Sequence, residues 1–117
     1  MNQAVVLEKP YAAGFTEKNI PVPGSGEILL QVKFVGLCGT DLSSYRGKMP
    51  LVSYPRVPGH ETGAIILEKG DRVPDHFRIG DTVTINPYTS CGRCAACLQK
   101  RYNASQYNQT FGVKRDG

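Results

Sequence analysis

Glycine and proline interrupt this chain so often that no long helix can form in it. Its 117 residues include 13 glycines and 8 prolines, and both residue types break regular helices, glycine through its conformational freedom and proline through its missing N–H group. Short runs rich in β-branched and aliphatic residues lie between these interruptions and are typical of strands. We predict strands over residues 3–8, 15–20, 28–36, 63–67 and 81–87, and a further strand starting at residues 111–113.

Five or six short strands joined by turns predict a mostly β fold, a partly open β-barrel with short helical turns. One helical turn is predicted over residues 41–47, capped by Thr40 or Asp41 and ended by Gly47. The sequence stops at a turn signal, residues 115–117. We therefore expect the barrel to be truncated before its last strands, with an unpaired edge.

Composition excludes several classes of protein. The chain is 40% hydrophobic and 21% charged, which predicts one soluble globular domain over residues 1–117. The net charge is +4 but the basic residues are scattered, so we expect no nucleic-acid partner. No apolar run approaches the ~20 residues that cross a bilayer, and the N-terminus lacks the features of a signal peptide. We expect a cytoplasmic protein without a membrane partner, whose cysteines are thiols or metal ligands.

Two short motifs predict a metal site. The first is Gly36-Leu37-Cys38-Gly39-Thr40-Asp41, and the second is Gly59-His60-Glu61. Zinc is bound by cysteine thiolate and neutral histidine, and a catalytic zinc takes three protein ligands and keeps one position open. The Thr40 hydroxyl both donates and accepts hydrogen bonds and can pass a proton, while Asp41 or Glu61 can orient His60. The alternative is a buried structural cysteine with a hydrogen-bonded histidine.

A second metal site is predicted in the loop of residues 88–110, which we call the cysteine loop. Cys91, Cys94 and Cys97 follow one another at two-residue gaps, but a closed structural site needs four ligands. The nearby Ser105 offers only a neutral hydroxyl, which is a poor zinc ligand. We interpret His76 as a solvated loop residue.

These motifs resemble the N-terminal catalytic domain of the zinc-dependent medium-chain alcohol dehydrogenases, particularly the sorbitol and threonine dehydrogenase-like members. The resemblance covers essentially all of the chain. It implies a GroES-like barrel followed by a Rossmann domain that binds NAD or NADP and is absent from this chain. It also implies a small alcohol, polyol or sugar-acid substrate and a parent protein that forms a homo-oligomer.

The resemblance assigns roles to individual residues. Cys38 and His60 would bind the catalytic zinc, with Glu61 as a ligand, directly or through water, or as a supporting group. Thr40 would belong to a proton relay and Asp41 would support His60. Cys91, Cys94 and Cys97 match the structural zinc site of the family, and Tyr45 and Arg46 would face the substrate.

The sequence departs from the family pattern at three positions. Ser105 stands where the fourth cysteine of the structural site falls, Ser43 stands where many members have a histidine, and the glycine usual after Gly-His-Glu is displaced to Gly63. One alternative is a non-catalytic zinc-binding interaction module of the same fold, or an inactive fragment. A zinc-free quinone reductase-like relative is the other, and it is disfavoured because Cys38 and His60 are present.

Overall fold

The computed structural model describes residues 2–117, and its chain begins with a hairpin. Strand β1 (Asn2–Lys9) pairs antiparallel with strand β2 (Ala12–Lys18), and only Pro10 and Tyr11 separate them. Tyr11 has a φ of 61°, in the left-handed region used by tight turns between antiparallel strands. The prediction of β1 is confirmed. Strand β2 begins before residue 15, because pairing resumes directly after this short turn.

A second sheet positions the candidate site. In spatial order its antiparallel strands are β3 (Ile28–Gly36), β4 (Glu61–Lys69) and β5 (Thr82–Thr84). Gly36 at the end of β3 lies opposite Glu61 at the start of β4. The chain leaves the sheet after Gly36 and returns to it at Glu61. The two ends of the intervening segment, residues 37–60, are therefore held side by side.

The first helix, α1 (Gly39–Tyr45), starts directly after Cys38. The predicted caps, Thr40 and Asp41, are wrong: Cys38 is the residue that precedes the helix, and its N–H donates to Asp41 Oδ2 at 2.9 Å. The N–H of Cys38 has no acceptor within the helix, and this bond supplies one. The predicted end is confirmed, since Gly47 turns the chain with a φ of 69°.

Within the two sheets, the buried side chains lie on β1 and β4. Val6 and Leu7 are buried on β1, and Ala64 and Ile66 are buried on β4. The backbone of Leu7 exchanges two hydrogen bonds with Arg56, which ties the hairpin to the segment between β3 and β4. The prediction of a mostly β, open architecture is confirmed: within residues 2–117 the two sheets remain open and do not close into a barrel.

The strands predicted near the C-terminus are shorter than expected. Strand β5 covers only Thr82–Thr84, ends opposite Gly63 on β4 and does not reach Pro87. The strand predicted at residues 111–113 is wrong: Phe111 forms only an isolated bridge with Arg115, because Gly112, with a φ of 74°, turns the chain. This turn packs closely on Gly59, the residue before His60.

The cysteine loop contains two short helical segments that the sequence analysis did not predict. They are α2 (Ala95–Leu98) and a 3₁₀ turn (Tyr102–Ala104). Within residues 2–117, no helix combines the length and the hydropathy needed to cross a membrane.

Candidate metal centres

The pairing of β3 with β4 brings Cys38 and His60 together. Cys38 is the second residue after the end of β3, and His60 is the last residue before β4. Cys38 Sγ lies 3.3 Å from His60 Nε2, although the residues are 22 positions apart in the sequence. Both side chains are partly buried. The sheet register therefore builds the thiol–imidazole pair that the motifs predicted.

The spacing of this pair fits a shared metal ion. Tetrahedral zinc with ordinary Zn–S and Zn–N bond lengths separates a sulfur ligand from a nitrogen ligand by about 3.6 Å. The observed 3.3 Å between Cys38 Sγ and His60 Nε2 is close to that value. One carboxylate oxygen of Asp41 joins them, and the three ligand atoms all lie within 4.8 Å of one another. Thiolate, imidazole and carboxylate are the donor types that zinc accepts.

Asp41 connects both halves of this first centre. Its side chain is only 9% exposed. One oxygen accepts the N–H of Cys38, while the other lies 3.9 Å from His60 Nδ1. His60 Nδ1 is itself buried and has no hydrogen-bond partner among the described residues. A metal-binding histidine commonly directs its second ring nitrogen toward a carboxylate, and Asp41 is placed for that role.

The other residues predicted at this centre lie at its edge. Glu61 is exposed, and its side chain covers Gly36, where an added Cβ would come within 2.6 Å of Glu61 Oε2. Glu61 is not among the ligand atoms that converge on Cys38. Thr40 is half-buried in the first turn of α1, and Ser43 is half-buried one turn later.

Two clefts flank the first centre. One is a shallow cleft along the sheet, and it includes His60, Glu61, Thr62, Thr82 and Thr84. The other has a volume of about 540 Å³ and is mostly apolar, with Cys38, Leu42 and Tyr45 in its wall. Tyr45 also packs edge-on against Tyr11 at 5.4 Å, whereas Arg46 is exposed beyond the helix.

The cysteine loop forms a second centre. The sulfurs of Cys91, Cys94 and Cys97 all lie within 4.8 Å of one another. Those of Cys91 and Cys97 are 4.0 Å apart, and two sulfurs on one tetrahedral zinc are about 3.8 Å apart. The N–H of Cys94 donates to Cys91 Sγ at 3.3 Å. All four cysteines of the chain are free thiols. The spacing predicted from the sequence therefore produces a convergent set of three sulfurs.

Backbone N–H groups favour the ionised form of these thiols. The pKa of Cys94 is lowered to about 6, chiefly by the backbone N–H of Cys97 and then by that of Gln106, which together outweigh the opposing effect of burial. The pKa of Cys91 is also lowered, chiefly by the backbone N–H of Arg93. The thiolate is the form of cysteine that binds metals. The loop therefore stabilises the ligand form of at least two of its sulfurs.

Ser105 lies beside the three sulfurs. Its Oγ is 3.9 Å from Cys94 Sγ and accepts the N–H of Cys91 at 3.2 Å. His76, the other histidine of the chain, is exposed and packs against Phe77. It does not belong to either cluster of ligand atoms. The structure thus brings Ser105, and not His76, to the cysteine cluster.

The sequence analysis missed the close approach of Gly112 to the first centre. A Cβ on Gly112 would lie 2.5 Å from the carbonyl oxygen of Gly59. Gly59 itself has a φ of 109° and is buried. The sequence shows only that both residues are glycines, which permits such conformations but does not indicate that the two residues meet.

Comparisons with known proteins agree with this geometry. Residues 24–117 match the alcohol dehydrogenase GroES-like domain. An uncharacterised zinc-type alcohol dehydrogenase-like protein of Haemophilus influenzae is 39% identical over 98% of this chain and 34% of its own length. L-galactonate-5-dehydrogenase of Escherichia coli is 36% identical over 97% of this chain and 33% of its own length. L-threonine 3-dehydrogenase of Thermococcus kodakarensis is 36% identical over 98% of this chain and 34% of its own length.

A solved structure shows the same fold. The alcohol dehydrogenase RspB from Escherichia coli CFT073, determined as a complex with NADH, superposes with a TM-score of 0.86 and 36% identity. The superposition covers 98% of this chain and 33% of that protein. This chain therefore spans about a third of the length of the relatives it matches.

Proposed function

This chain belongs to the alcohol dehydrogenase GroES-like domain family, the N-terminal domain of the zinc-dependent medium-chain alcohol dehydrogenases, and we propose that it is the zinc- and substrate-binding part of an NAD(P)-dependent dehydrogenase. The observation that carries this proposal is the 3.3 Å separation of Cys38 Sγ and His60 Nε2, with Asp41 behind them. In this proposal residues 1–117 form the GroES-like domain, and the parent acts on an alcohol, polyol or sugar acid.

We assign zinc binding to Cys38 and His60. Glu61 is assigned to the same centre as a ligand, directly or through water, or as a supporting group, since it follows His60 and lines the cleft beside it. When bound, zinc supplies a Lewis acid that lowers the pKa of a substrate hydroxyl, so that a hydride can pass to the nicotinamide. We assign a second metal to Cys91, Cys94 and Cys97.

Asp41 and Thr40 support the reaction in this proposal. The Asp41 carboxylate holds the His60 ring with Nε2 directed toward Cys38 and fixes the position of Cys38 through its backbone N–H. Thr40, two residues after Cys38, accepts the proton of the substrate hydroxyl on Oγ1 and donates its own proton toward solvent. The Thr40 hydroxyl is thus the group that moves a proton, and Asp41 is a positioning residue.

We place the substrate in the shallow cleft beside His60. This cleft is mostly apolar, but Glu61, Thr82 and Thr84 in its lining carry polar groups that can hydrogen-bond to a polyol or sugar acid. L-galactonate-5-dehydrogenase, one of the relatives, is named for a sugar acid. We assign nicotinamide dinucleotide binding to a Rossmann domain outside these residues, because the sequence contains no Gly-x-Gly-x-x-Gly pattern.

A non-catalytic zinc-binding module is the second candidate. Ser105 at the cysteine cluster favours it, since a site with a changed ligand set need not be the structural site of an active dehydrogenase. The two candidates differ at the first centre. A dehydrogenase needs zinc at Cys38 and His60, whereas a module that binds metal only in the cysteine loop does not.

The test measures the zinc content of purified protein and the alcohol-dependent reduction of NAD⁺ or NADP⁺ by the full-length parent. We expect His60→Ala to remove the zinc of the first centre and to abolish the parent's activity. His76→Ala, which changes the other histidine in an exposed loop, should alter neither. Equal zinc content in the two variants would refute the assignment of His60. A zinc-loaded parent that oxidises no alcohol, polyol or sugar acid would refute the proposed function.

A further inference from the structure

We propose that the cysteine loop is an open metal site, in which three thiolates bind a thiophilic divalent cation and the fourth position accepts a small thiol from outside the chain. This inference concerns residues 88–110 and is independent of the function proposed for the first centre. It follows from the number of sulfur ligands, the placement of Ser105, the partial exposure of Cys91 and the charge of the loop.

The ligand set is one short of a closed site. Cys91, Cys94 and Cys97 bring three sulfurs within 4.8 Å of one another. Structural zinc sites close with four protein ligands, whereas three protein ligands leave one position for an exchangeable group. Cys38 is the only other cysteine in the chain and is paired with His60. The chain therefore has no fourth thiolate for this site.

Ser105 is the nearest substitute for a fourth ligand, but it is engaged elsewhere. Its Oγ accepts the N–H of Cys91 at 3.2 Å, which uses one of its two lone pairs. It remains a neutral hydroxyl, a harder and weaker donor than a thiolate for a thiophilic cation. Its 3.9 Å distance from Cys94 Sγ places it beside the cluster as a hydrogen-bonding neighbour.

The site is accessible from one side. Cys94 and Cys97 are buried, whereas Cys91 and Ser105 keep partial exposure. A cleft of about 560 Å³ is lined by Ser90, the residue before Cys91, and by Asn86, Tyr88, Thr89, Tyr102 and Asn103, but not by any of the three cysteines. The partly exposed side of Cys91 and Ser105 is therefore where an external sulfur would approach the metal.

The charge of the loop favours a fourth anionic ligand. The sequence contains no aspartate or glutamate between residues 82 and 115, while Arg93, Lys100 and Arg101 carry positive charge within the cysteine loop. Three thiolates and a divalent cation leave one negative charge, and a further thiolate adds another. The nearby cations offset that charge, so electrostatic repulsion does not exclude an external thiolate.

Cobalt spectroscopy tests the proposal without relying on catalysis. The protein is prepared as Cys38→Ser, which removes a thiolate from the first centre, and is loaded with Co²⁺. Thiolate-to-cobalt charge-transfer absorbance grows with the number of sulfur ligands. We expect 2-mercaptoethanol to raise this absorbance by about a third as three sulfurs become four. The matched variant is Cys38→Ser with Ser105→Cys, whose spectrum should already match the thiol-treated spectrum and should not respond to added thiol.

A second variant isolates the serine. With Ser105→Ala in the Cys38→Ser background, we expect Co²⁺ to remain bound and the thiol response to persist, since the hydroxyl is not a ligand. Loss of Co²⁺ in this variant would overturn the proposal by making Ser105 a ligand. An unchanged spectrum on thiol addition to the Cys38→Ser protein, or loss of its charge-transfer band, would also overturn it.

Discussion

Asp41 Oδ1 lies 3.9 Å from His60 Nδ1, and that buried nitrogen has no hydrogen-bond partner among the described residues. Asp41 also accepts the backbone N–H of Cys38. The Asp41 carboxylate thus faces the ring of His60 and the backbone N–H of Cys38.

Asp41→Asn should weaken zinc binding at the first centre. The amide keeps an oxygen for the Cys38 N–H but loses the negative charge that faces His60 Nδ1. Changes of this kind in a supporting carboxylate reduce metal affinity by about 10–100-fold. Competition with a chromophoric chelator would measure the change. Asp75→Asn, at an exposed carboxylate paired only with Lys69 at 3.6 Å, is the control and should leave affinity unchanged. Equal affinities in the two variants would contradict the role of Asp41.

The stability of the metal-free protein should depend on the ionisation of Cys94. The pKa of this thiol is lowered from 9.0 to about 6 in the folded chain. Because the folded-state pKa is depressed, the stability that the Cys94 thiolate contributes is complete above the unfolded-state pKa. It is lost as pH falls through the folded-state pKa. The free energy of unfolding should therefore gain from Cys94 as pH rises from about 6 to 9. Urea unfolding across this range, compared with Cys94→Ala, would measure the difference, and parallel pH profiles would contradict it.

Asp116 should contribute to stability by joining three parts of the chain. It accepts hydrogen bonds from Lys18, from Arg56 at 3.2 Å and from the N–H of Val57 at 3.0 Å. Burial alone would raise the pKa of Asp116, but these partners together lower it below 3.8. Because the site is partly exposed, we expect Asp116→Asn to cost about 1 kcal/mol at neutral pH.

The pH dependence of the stability lost in Asp116→Asn tests this prediction. A lowered carboxyl pKa stabilises the fold above the unfolded value, and this stability disappears as pH falls through the folded pKa. The unfolding free energies of wild type and Asp116→Asn should converge below pH 3.8. Asp75→Asn, which removes a single exposed ion pair, should change stability by less than about 0.5 kcal/mol. Equal effects of the two substitutions would show that the Asp116 contacts add nothing.

Gly112→Ala should be strongly destabilising. Its φ of 74° is unfavourable for alanine, and the added Cβ would lie 2.5 Å from the Gly59 carbonyl oxygen. The matched control is Gly80→Ala, where φ is 93° but no atom lies within 4 Å of the added Cβ. Backbone strain alone should cost about 1–2 kcal/mol at either position, and the clash should make the loss at Gly112 clearly larger. Similar urea midpoints for both variants would contradict the close packing on Gly59.

Local features of this chain could be predicted from the sequence, whereas long-range features could not. The three cysteines lie within seven residues of one another, so their spacing alone determines that the sulfurs can meet. The pairing of Cys38 with His60 was predicted from the motifs, but the approach of Asp41 to the second ring nitrogen depends on the register that sets Gly36 opposite Glu61. A shift of one residue in that register would change every cross-strand pair. The spacing of the motifs along the sequence does not determine the register.

The prediction for the C-terminal residues failed for a different reason. Phe111 and Val113 have the side chains of a strand, but Gly112 between them takes a conformation that a strand does not allow. Its packing against Gly59 is a contact between backbones distant in the sequence. Strand propensity reflects the packing of side chains, so it contains no information on a contact between two backbones.

The register of β3 and β4 has a consequence for how the first centre acquires its metal. Closing a loop of about 24 residues, such as the segment between Gly36 and Glu61, costs roughly 3 kcal/mol of conformational entropy. The formation of the sheet offsets that entropy cost before any ion binds. The ion therefore encounters Cys38 and His60 already held side by side. Release is the reverse of that step, so the metal should leave while the two strands stay paired, and the metal-free protein should keep Cys38 and His60 in position for another ion.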